Sequence, residues 1–384
     1  MLSVSRLLRR AFSASAQLTT SKAATAATTK SLCDAILKER NLKRLVEKFK
    51  KFSENKRFRA NADTYKLTVR RLGAAKRFNL IQEILEDQKK YEEISEEAFN
   101  ARLISLYGKS GMFDDAQKVF DEMTEKKCTR TVLSFNALLA ACVNSKKFDK
   151  VDGLFRELSQ KLKIEPGLAS YNIVIKAFCQ MGSLDSAMSL LDEMEDKGVH
   201  PNLVTFNTLL YGLYKNGRFE DGDWIWSLMA FENIPDIRSY NAKLLGLALE
   251  KGTNDAVKLV EEMKIKGIKP DVSSFNALIK GFVKEENLEQ AKHWYYEIGN
   301  SDCEPDILTF RTLISFACEK DDLKFAFELS KKIISRKCAV NKALLQQVVD
   351  GLVKSSQIQE AKELVQLGKN NGYSRYQLKL PSDE

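Results

Sequence analysis

The chain has little of what a metal site, a disulfide framework or a membrane span requires. Its 384 residues include two histidines, His200 and His293, which are too few and too far apart for a metal centre. The seven cysteines form no Cys-x-x-Cys pair and no regular disulfide framework. No uninterrupted apolar run approaches the ~20 residues that a membrane helix needs. The sequence therefore predicts no metal, no cofactor and no membrane insertion.

Acidic residues are missing from the first 33 positions, which are rich in Ser, Thr, Ala and Arg. Arginine within the first ten positions and the junction Arg10-Ala11-Phe12-Ser13 are typical of a mitochondrial presequence. We therefore predict a transit peptide over residues 1–30 and localisation in the mitochondrial matrix. A chloroplast presequence and an N-terminus biased by chance are the alternatives.

The positive charge of the chain lies before residue 78. Of the net charge of +9, residues 1–77 carry +15, so residues 78–384 carry −6. Residues 38–77 alone hold 15 basic and 4 acidic side chains. This division predicts a basic N-terminal segment followed by a mildly acidic remainder.

Proline is scarce, but five of the six prolines recur at nearly constant spacing. They are Pro166, Pro201, Pro235, Pro270 and Pro305, at intervals of 35, 34, 35 and 35 residues. An aromatic residue lies five positions after each, and asparagine follows it in four cases; the exception is Phe310-Arg311. A period near 35 in a helix-forming composition indicates a solenoid of helical hairpins.

Residues 168–202 are the clearest unit of this period. Apolar residues line a first helix, which Gly182 ends because glycine readily takes the left-handed conformation found after helices. A second helix then runs to Gly198, and Pro201 blocks helical conformation before it.

The twentieth residue of a unit is small, which lets the two helices approach closely. It is alanine or glycine in seven units: Ala116, Ala187, Gly222, Ala256, Ala291, Ala326 and Ala361. In the third unit this residue is Val151, which predicts a splayed or shifted hairpin.

We predict an all-α fold, a right-handed superhelical solenoid of about nine helix–turn–helix repeats over residues 62–376. The units begin near residues 62, 96, 132, 168, 203, 237, 272, 307 and 342. An extra residue in the second unit leaves Asn100 or Ala101 as its fifth position. Residues 31–61 are expected to form a basic helical cap, and residues 377–384 a tail. Stacked units leave a long concave groove for binding.

The repeated motifs resemble the pentatricopeptide repeat family, P-type. Tyr/Phe-Asn opens a unit and Pro-Asp or Pro-Asn closes it, as in SYNIVIKAFCQMG, TFNTLLYGLYKNG, DEMEDKGVHPN and EEMKIKGIKPD. The opening pattern of the tetratricopeptide repeat is not seen. The resemblance implies binding of single-stranded RNA in an organelle, one base per repeat. It extends to short family members in the small subunit of plant mitochondrial ribosomes.

By this resemblance, the fifth and last residues of a unit read a base. The expected base-reading residues are Asn136, Asn172, Asn202, Asn207, Asp236, Asn241, Asp271, Asn276 and Asp306. Asn with Asp implies uridine and Asn with Asn a pyrimidine, so the expected preference is Y-U-U-U. Alternatively, asparagine is retained because its amide bonds to neighbouring backbone.

Other units fit no known pairing. Asn136 is matched with Gly167, which has no side chain; the remaining combinations are Lys66 with Ser95, Arg311 with Asn341, and Gln346 with Tyr376. Four legible units cannot select one transcript.

The basic segment is a second candidate RNA contact, one that would hold the backbone without reading sequence. Its residues are Lys43, Arg44, Lys48, Lys50, Lys51, Lys56, Arg57, Arg59, Arg70, Arg71, Lys76 and Arg77. The alternative is a solvated helical face.

Four functions compete. The favoured one is a component docked on ribosomal RNA and proteins of the mitochondrial small subunit; the others are a transcript-specific factor, a protein scaffold and an enzyme. A deaminase needs His-x-Glu and Cys-x-x-Cys motifs, and neither occurs. Asp221 and Asp223, near Trp224 and Trp226, are the one acidic doublet of interest, and they suit a helix N-terminus. We therefore expect no catalysis and no small-molecule substrate.

Overall fold

Helical hairpins recur along the described part of the chain. The computed structural model describes residues 29–231, 235–250, 252–336, 341–370 and 378–381, which contain helices and no strand. Nine consecutive helical pairs, numbered 1 to 9, lie within these ranges. The predicted all-α fold of stacked helix–turn–helix repeats is confirmed.

The first helix of each pair begins at, or one residue after, a predicted unit start. These helices are Ala62–Ala74, Glu97–Lys109, Val132–Asn144, Leu168–Met181, Leu203–Lys215, Ile237–Glu250, Val272–Lys284, Ile307–Glu319 and Lys342–Lys354. The second helices are Phe78–Asp87, Phe113–Glu122, residues 151–162, Leu184–Asp196, Phe219–Phe231, Thr253–Ile265, Leu288–Asn300, Leu323–Ser335 and Ile358–Asn370.

A left-handed residue follows the first helix and fixes the register of the pair. In eight of the described pairs it lies fourteen residues after the helix start: Lys76, Gly111, Lys146, Gly182, Gly217, Glu286, Asp321 and Ser356. Counting back from Gly111 makes Glu97 the first residue of pair 2 and Ala101 its fifth. Glu96, rather than Ser95, therefore ends unit 1.

Asn100, the other candidate for that fifth position, turns into the protein. Its side chain is 1% exposed, and its amide donates to the backbone oxygens of Ile94 at 2.6 Å and Glu96 at 3.1 Å. Asn100 is thus a structural residue, and pair 2 has no amide side chain at the reading position.

The small twentieth residue lies at the helix–helix contact, as its size requires. All six alanines at this position are fully buried. Val151 is also fully buried, and its helix is irregular, with a π-helical segment at Leu154–Leu158 after a 3-10 turn at Phe148–Lys150. A π-helical turn holds one more residue than an α-helical turn, so the larger side chain coincides with a shifted helix.

The described chain divides into two compact bodies. One contains the residues up to Met181 together with Asp196–Val199, and the other contains Gly182–Glu195 and the residues from His200. In the first, residues 29–38, Leu42–Phe52 and Lys56–Arg59 are helical and precede pair 1. The rings of Phe49, Phe58 and Tyr65 pack together there, with centroids 4.8 to 6.4 Å apart.

The second body has a continuous apolar core through pairs 6 to 9. It runs from Tyr240 to Val365 and also takes in Leu378, which is 3% exposed. No helix among the residues described above combines the length and the apolarity needed to cross a bilayer. The predicted transit peptide lies almost wholly outside the described residues.

Candidate nucleic-acid interface

Three equivalent side-chain networks lie on consecutive first helices of the second body. Each begins with the asparagine at the fifth position, whose Nδ2 donates to Oδ1 of the aspartate that ends the unit. The N–O distances are 3.0 Å for Asn207–Asp236, 3.0 Å for Asn241–Asp271 and 3.1 Å for Asn276–Asp306. The structure thus brings together three of the predicted reading pairs.

The aspartate of each network also caps the helix that follows. Asp271 accepts from the backbone N–H groups of Ser273 at 2.8 Å and Ser274 at 3.1 Å. The Ser274 hydroxyl in turn donates to Oδ1 of Asn241 at 2.6 Å. The arrangement satisfies the exposed donors of a helix start and holds the asparagine in one orientation.

The same hydroxyl contact closes the other two networks. Ser239 donates to Oδ1 of Asn207, and Thr309 donates to Oδ1 of Asn276, both at 2.7 Å. In all three, the asparagine bonds to neighbouring side chains, not to the backbone as the alternative interpretation held.

Each network keeps one donor and one acceptor for a ligand. An asparagine amide has two N–H donors, and one is used by the aspartate. The aspartate Oδ1 carries the bonds described above, whereas Oδ2 makes none with the described residues. An N–H donor beside a carboxylate acceptor complements the Watson–Crick edge of uracil, which has an N3–H donor between two carbonyl acceptors.

The aspartate of the first network is ionised at neutral pH. Burial raises the pKa of Asp236, but hydrogen bonds from the Ser239 backbone, the Asn207 amide and the Ser239 hydroxyl outweigh it and hold the pKa below its ordinary value. An ionised carboxylate is an acceptor only. It therefore selects a donor such as N3–H.

The remaining predicted reading residues are placed differently. Asn136 accepts from the Ser170 hydroxyl at 2.7 Å, but Gly167 supplies no carboxylate beside it. Asn202 caps its helix by accepting from the N–H groups of Val204 and Thr205. Asn172 occupies the fifth position of Leu168–Met181. Base reading by Asn172 with Asn202 stays a prediction.

In pair 2, a glutamate replaces the asparagine–aspartate network. The Glu97 carboxylate accepts from the Thr131 N–H at 2.7 Å, the Ser134 hydroxyl at 2.7 Å and the Ser134 N–H at 3.1 Å. Burial raises the pKa of Glu97, but these hydrogen bonds outweigh burial and hold the pKa below its ordinary value. Its oxygens are committed to capping Val132–Asn144, which sequence reasoning missed.

In pair 9, the chain itself occupies the reading position. The Gln346 amide accepts from the Lys379 N–H at 3.0 Å and donates to the Lys379 carbonyl at 2.7 Å. The neighbouring Leu378 is buried in the core. Tyr376, the predicted partner of Gln346, lies outside the described residues. A base cannot reach this amide without displacing residues 378–381.

Apolar side chains stand exposed at the second position of three first helices. They are Leu133, Val204 and Leu308, with exposed fractions of 49%, 51% and 55%. Residues three apart share a helix face, so each stands beside the fifth residue of its helix. The sequence could have indicated them, because each is an apolar residue directly after the first residue of a helix, at a position that the buried face does not include.

Two of the arginines predicted to contact the RNA backbone have guanidinium groups that bond within the protein. Arg59 is 6% exposed, pairs with Glu93 at 2.7 Å and donates to the Ser53 carbonyl at 2.9 Å. Arg71 donates to the Ile36 carbonyl at 3.0 Å and also to that of Glu39.

The other basic side chains divide into paired and unpaired groups. Lys48, Lys50 and Lys56 form ion pairs with Glu39, Glu83 and Glu92. Seven are exposed and lack an acidic partner among the described residues: Lys43, Arg44, Lys51, Arg57, Arg70, Lys76 and Arg77. Phosphate binding by these seven stays a prediction.

Family models match most of these helical pairs. The PPR repeat family model matches residues 98–144, 166–215, 235–284 and 270–319, and the PPR repeat model matches 133–161 and 204–234. Together they cover more than half of the chain. The chain belongs to the pentatricopeptide repeat (PPR) family.

Relatives of this PPR chain include proteins named for the ribosome. Small ribosomal subunit protein mS78 (rPPR3a) of Arabidopsis thaliana is 54% identical over 211 residues, covering 52% of this chain and 53% of that protein. A second Arabidopsis thaliana protein, named as mitochondrial and pentatricopeptide repeat-containing, is 40% identical over 206 residues, covering 53% of this chain and 49% of that protein. The chain spans about half the length of the curated relatives it matches.

The PPR fold is also found among solved structures. The crystal structure of the pentatricopeptide repeat protein PPR10 from maize aligns with a TM-score of 0.51 and 19% identity, over 89% of this chain and 48% of PPR10. The likeness concerns the fold alone. Within that fold, PPR units 5, 6 and 7 carry the complete asparagine–aspartate networks.

Proposed function

We propose that this PPR protein binds RNA in mitochondrial gene expression as a component docked on the small ribosomal subunit. The observation that carries the RNA-binding part is the threefold network of Asn207–Asp236, Asn241–Asp271 and Asn276–Asp306. Each offers the same donor and acceptor to a uracil base. The similarity to mS78 supports the ribosomal part, and the presequence pattern supports the mitochondrial matrix.

A short reading surface favours docking over the selection of one transcript. Three adjacent networks specify a run of three uridines, and such a run recurs by chance in any transcriptome. Glu97 and Gln346 are engaged in intramolecular bonds at two other units. Ribosomal RNA is held in a fixed position by its protein neighbours, so a protein can bind it without reading a long base sequence. No catalytic step is part of the proposal.

Sedimentation of the tagged full-length protein from mitochondrial lysate tests this proposal. With magnesium present, we expect it to migrate with small ribosomal subunits and to carry ribosomal RNA. Chelation of magnesium should shift both together, because ribosomal RNA structure depends on bound cations. Sequencing of the retained RNA completes the measurement.

Two outcomes would contradict the docked role. If the protein sediments in light fractions with one enriched messenger RNA, it acts as a transcript-specific factor. The three adjacent uridine-compatible networks also permit that role. A light peak without RNA would establish the protein scaffold.

Removing two of the reading amides should weaken binding to uridine-rich RNA. We expect Asn207→Ala with Asn241→Ala to lower the affinity for a short oligouridine about tenfold, since each lost hydrogen bond contributes about 0.5–1.5 kcal/mol. Fluorescence anisotropy on the purified protein measures this. The control is Asn79→Ala with Asn254→Ala, on exposed positions of second helices, which should leave the affinity unchanged. Equal affinities for all three proteins would remove base reading from units 5 and 6.

A further inference from the structure

The second helix of PPR unit 5 carries an apolar stripe that no described residue covers. Trp224, Leu228 and Phe231 are exposed by 52%, 42% and 88%. Their spacing of four and three residues places them on one face of Phe219–Phe231. The opposite face already supplies the core contacts, since Gly222, Ile225 and Met229 are buried. The stripe is therefore additional to what the fold needs.

The stripe is set in a negatively charged surface. Its helix contains Glu220, Asp221 and Asp223 and no basic residue. Arg218 pairs with Asp221 at 2.5 Å and with Asp185 at 2.9 Å, while Lys243 pairs with Asp223. Four carboxylates thus share two basic side chains, which leaves an excess of negative charge beside the apolar residues.

We infer that this face, defined by Glu220, Trp224, Leu228 and Phe231, docks a basic amphipathic segment of a neighbouring protein. Apolar side chains of the partner cover the stripe, and its lysines or arginines meet the carboxylates. Exposed tryptophan and phenylalanine are the residue types that anchor protein interfaces. The inference rests on the proposed function, because it places the partner on the small ribosomal subunit.

RNA fits this face poorly. The carboxylates repel phosphates, and the face offers no lysine or arginine of its own to neutralise them. The base-reading networks lie on the first helices, so this second helix provides a separate contact. The next unit continues the apolar character, since Ile265 holds the position equivalent to Phe231 and is 86% exposed.

Photo-crosslinking on the ribosome tests the inference. The photoreactive aromatic residue p-benzoylphenylalanine replaces Trp224 in the full-length protein, which is bound to purified mitochondrial small subunits, irradiated and analysed by mass spectrometry. The control places the same residue at Lys258, the equivalent position of the next unit and also exposed. We expect position 224 to crosslink to a lysine- or arginine-rich segment of one ribosomal protein, at least tenfold more than position 258.

A second variant measures the strength of the contact. Trp224→Ser, Leu228→Ser and Phe231→Ser together should lower the fraction retained on small subunits at moderate salt about tenfold and leave the affinity for oligouridine unchanged. These side chains are exposed, so the fold should tolerate the changes.

The outcomes separate the two proposals. The docking face alone would be overturned if the protein stayed on subunits but position 224 crosslinked to RNA or to a second copy of this chain. Equal crosslinking from both positions, or undiminished retention of the triple variant, would overturn it as well. A wild-type protein that fails to bind purified small subunits would overturn the proposed ribosomal function, and the docking face with it.

Discussion

Replacing Gly108 with alanine is expected to destabilise the protein by about 2 kcal/mol, although alanine is the better helix former. A Cβ built at Gly108 would lie 2.4 Å from the Cα and 2.5 Å from the Cβ of Ala141. The first of these is a backbone atom, so no side-chain rotation relieves the overlap. The first helices of units 2 and 3 would have to separate, and overpacking of this kind costs about 1–3 kcal/mol. Urea unfolding followed by far-UV circular dichroism measures the change.

Gly73→Ala is the matched control for this prediction. Gly73 occupies the same position in unit 1, but a Cβ there would meet only Ile81 Cδ1, at 3.9 Å. Alanine should fit and stabilise the helix by about 0.5–1 kcal/mol. If both substitutions changed the free energy of unfolding in the same direction, the close approach of the two helices would be disproved.

Arg59→Met is expected to destabilise the protein by about 3 kcal/mol or more. The side chains of Arg59 and Glu93 are 8% and 9% exposed and joined by two hydrogen bonds, at 2.7 and 3.1 Å. The Tyr91 ring covers the guanidinium at 4.1 Å. Removing the arginine leaves a buried carboxylate without its partner, and breaking such pairs costs about 3–5 kcal/mol. Thermal or urea unfolding measures the loss.

The same short helix supplies the control for Arg59. Lys56 pairs with Glu92 at 2.7 Å, but those side chains are 68% and 74% exposed. Lys56→Met should therefore leave the free energy of unfolding nearly unchanged. The double variant Arg59→Met with Glu93→Leu should recover most of the loss, since it leaves no unpaired charge. Equal effects of Arg59→Met and Lys56→Met would contradict a buried ion pair.

The sequence was sufficient for the fold because the fold depends on local signals repeated in register. Most first helices start at a capping side chain, eight of the described pairs have a left-handed residue at one place, and the twentieth residue is small in seven units. These features are readable within one unit, and nine copies reinforce one another. The helix starts consequently agree with the pattern to within one residue.

The candidate site was less predictable because its decisive contacts join residues about one period apart. Glu97 reaches Ser134, Arg59 reaches Glu93, and Gln346 reaches Lys379, all across 33 to 37 positions. Such pairings depend on how neighbouring units stack, and this stacking cannot be read from the amino-acid composition of one unit. For this reason the sequence alone did not reveal that the guanidinium groups of Arg59 and Arg71 bond within the protein.

The residue that ends a unit also caps the next helix, and this restricts which side chains can serve the proposed base reading. In six units this side chain caps the following helix, through Thr131, Asn202, Asp236, Asp271, Asp306 and Asn341, and Asn61 caps the first helix of unit 1 in the same way. Replacing such a cap by a non-capping residue costs about 1 kcal/mol. In the proposed readout, the choice of side chain at this position is therefore restricted by helix initiation. Under that proposal, a change of preferred base is compatible with helix capping when it exchanges asparagine, aspartate, serine and threonine, because these four residues cap helices well.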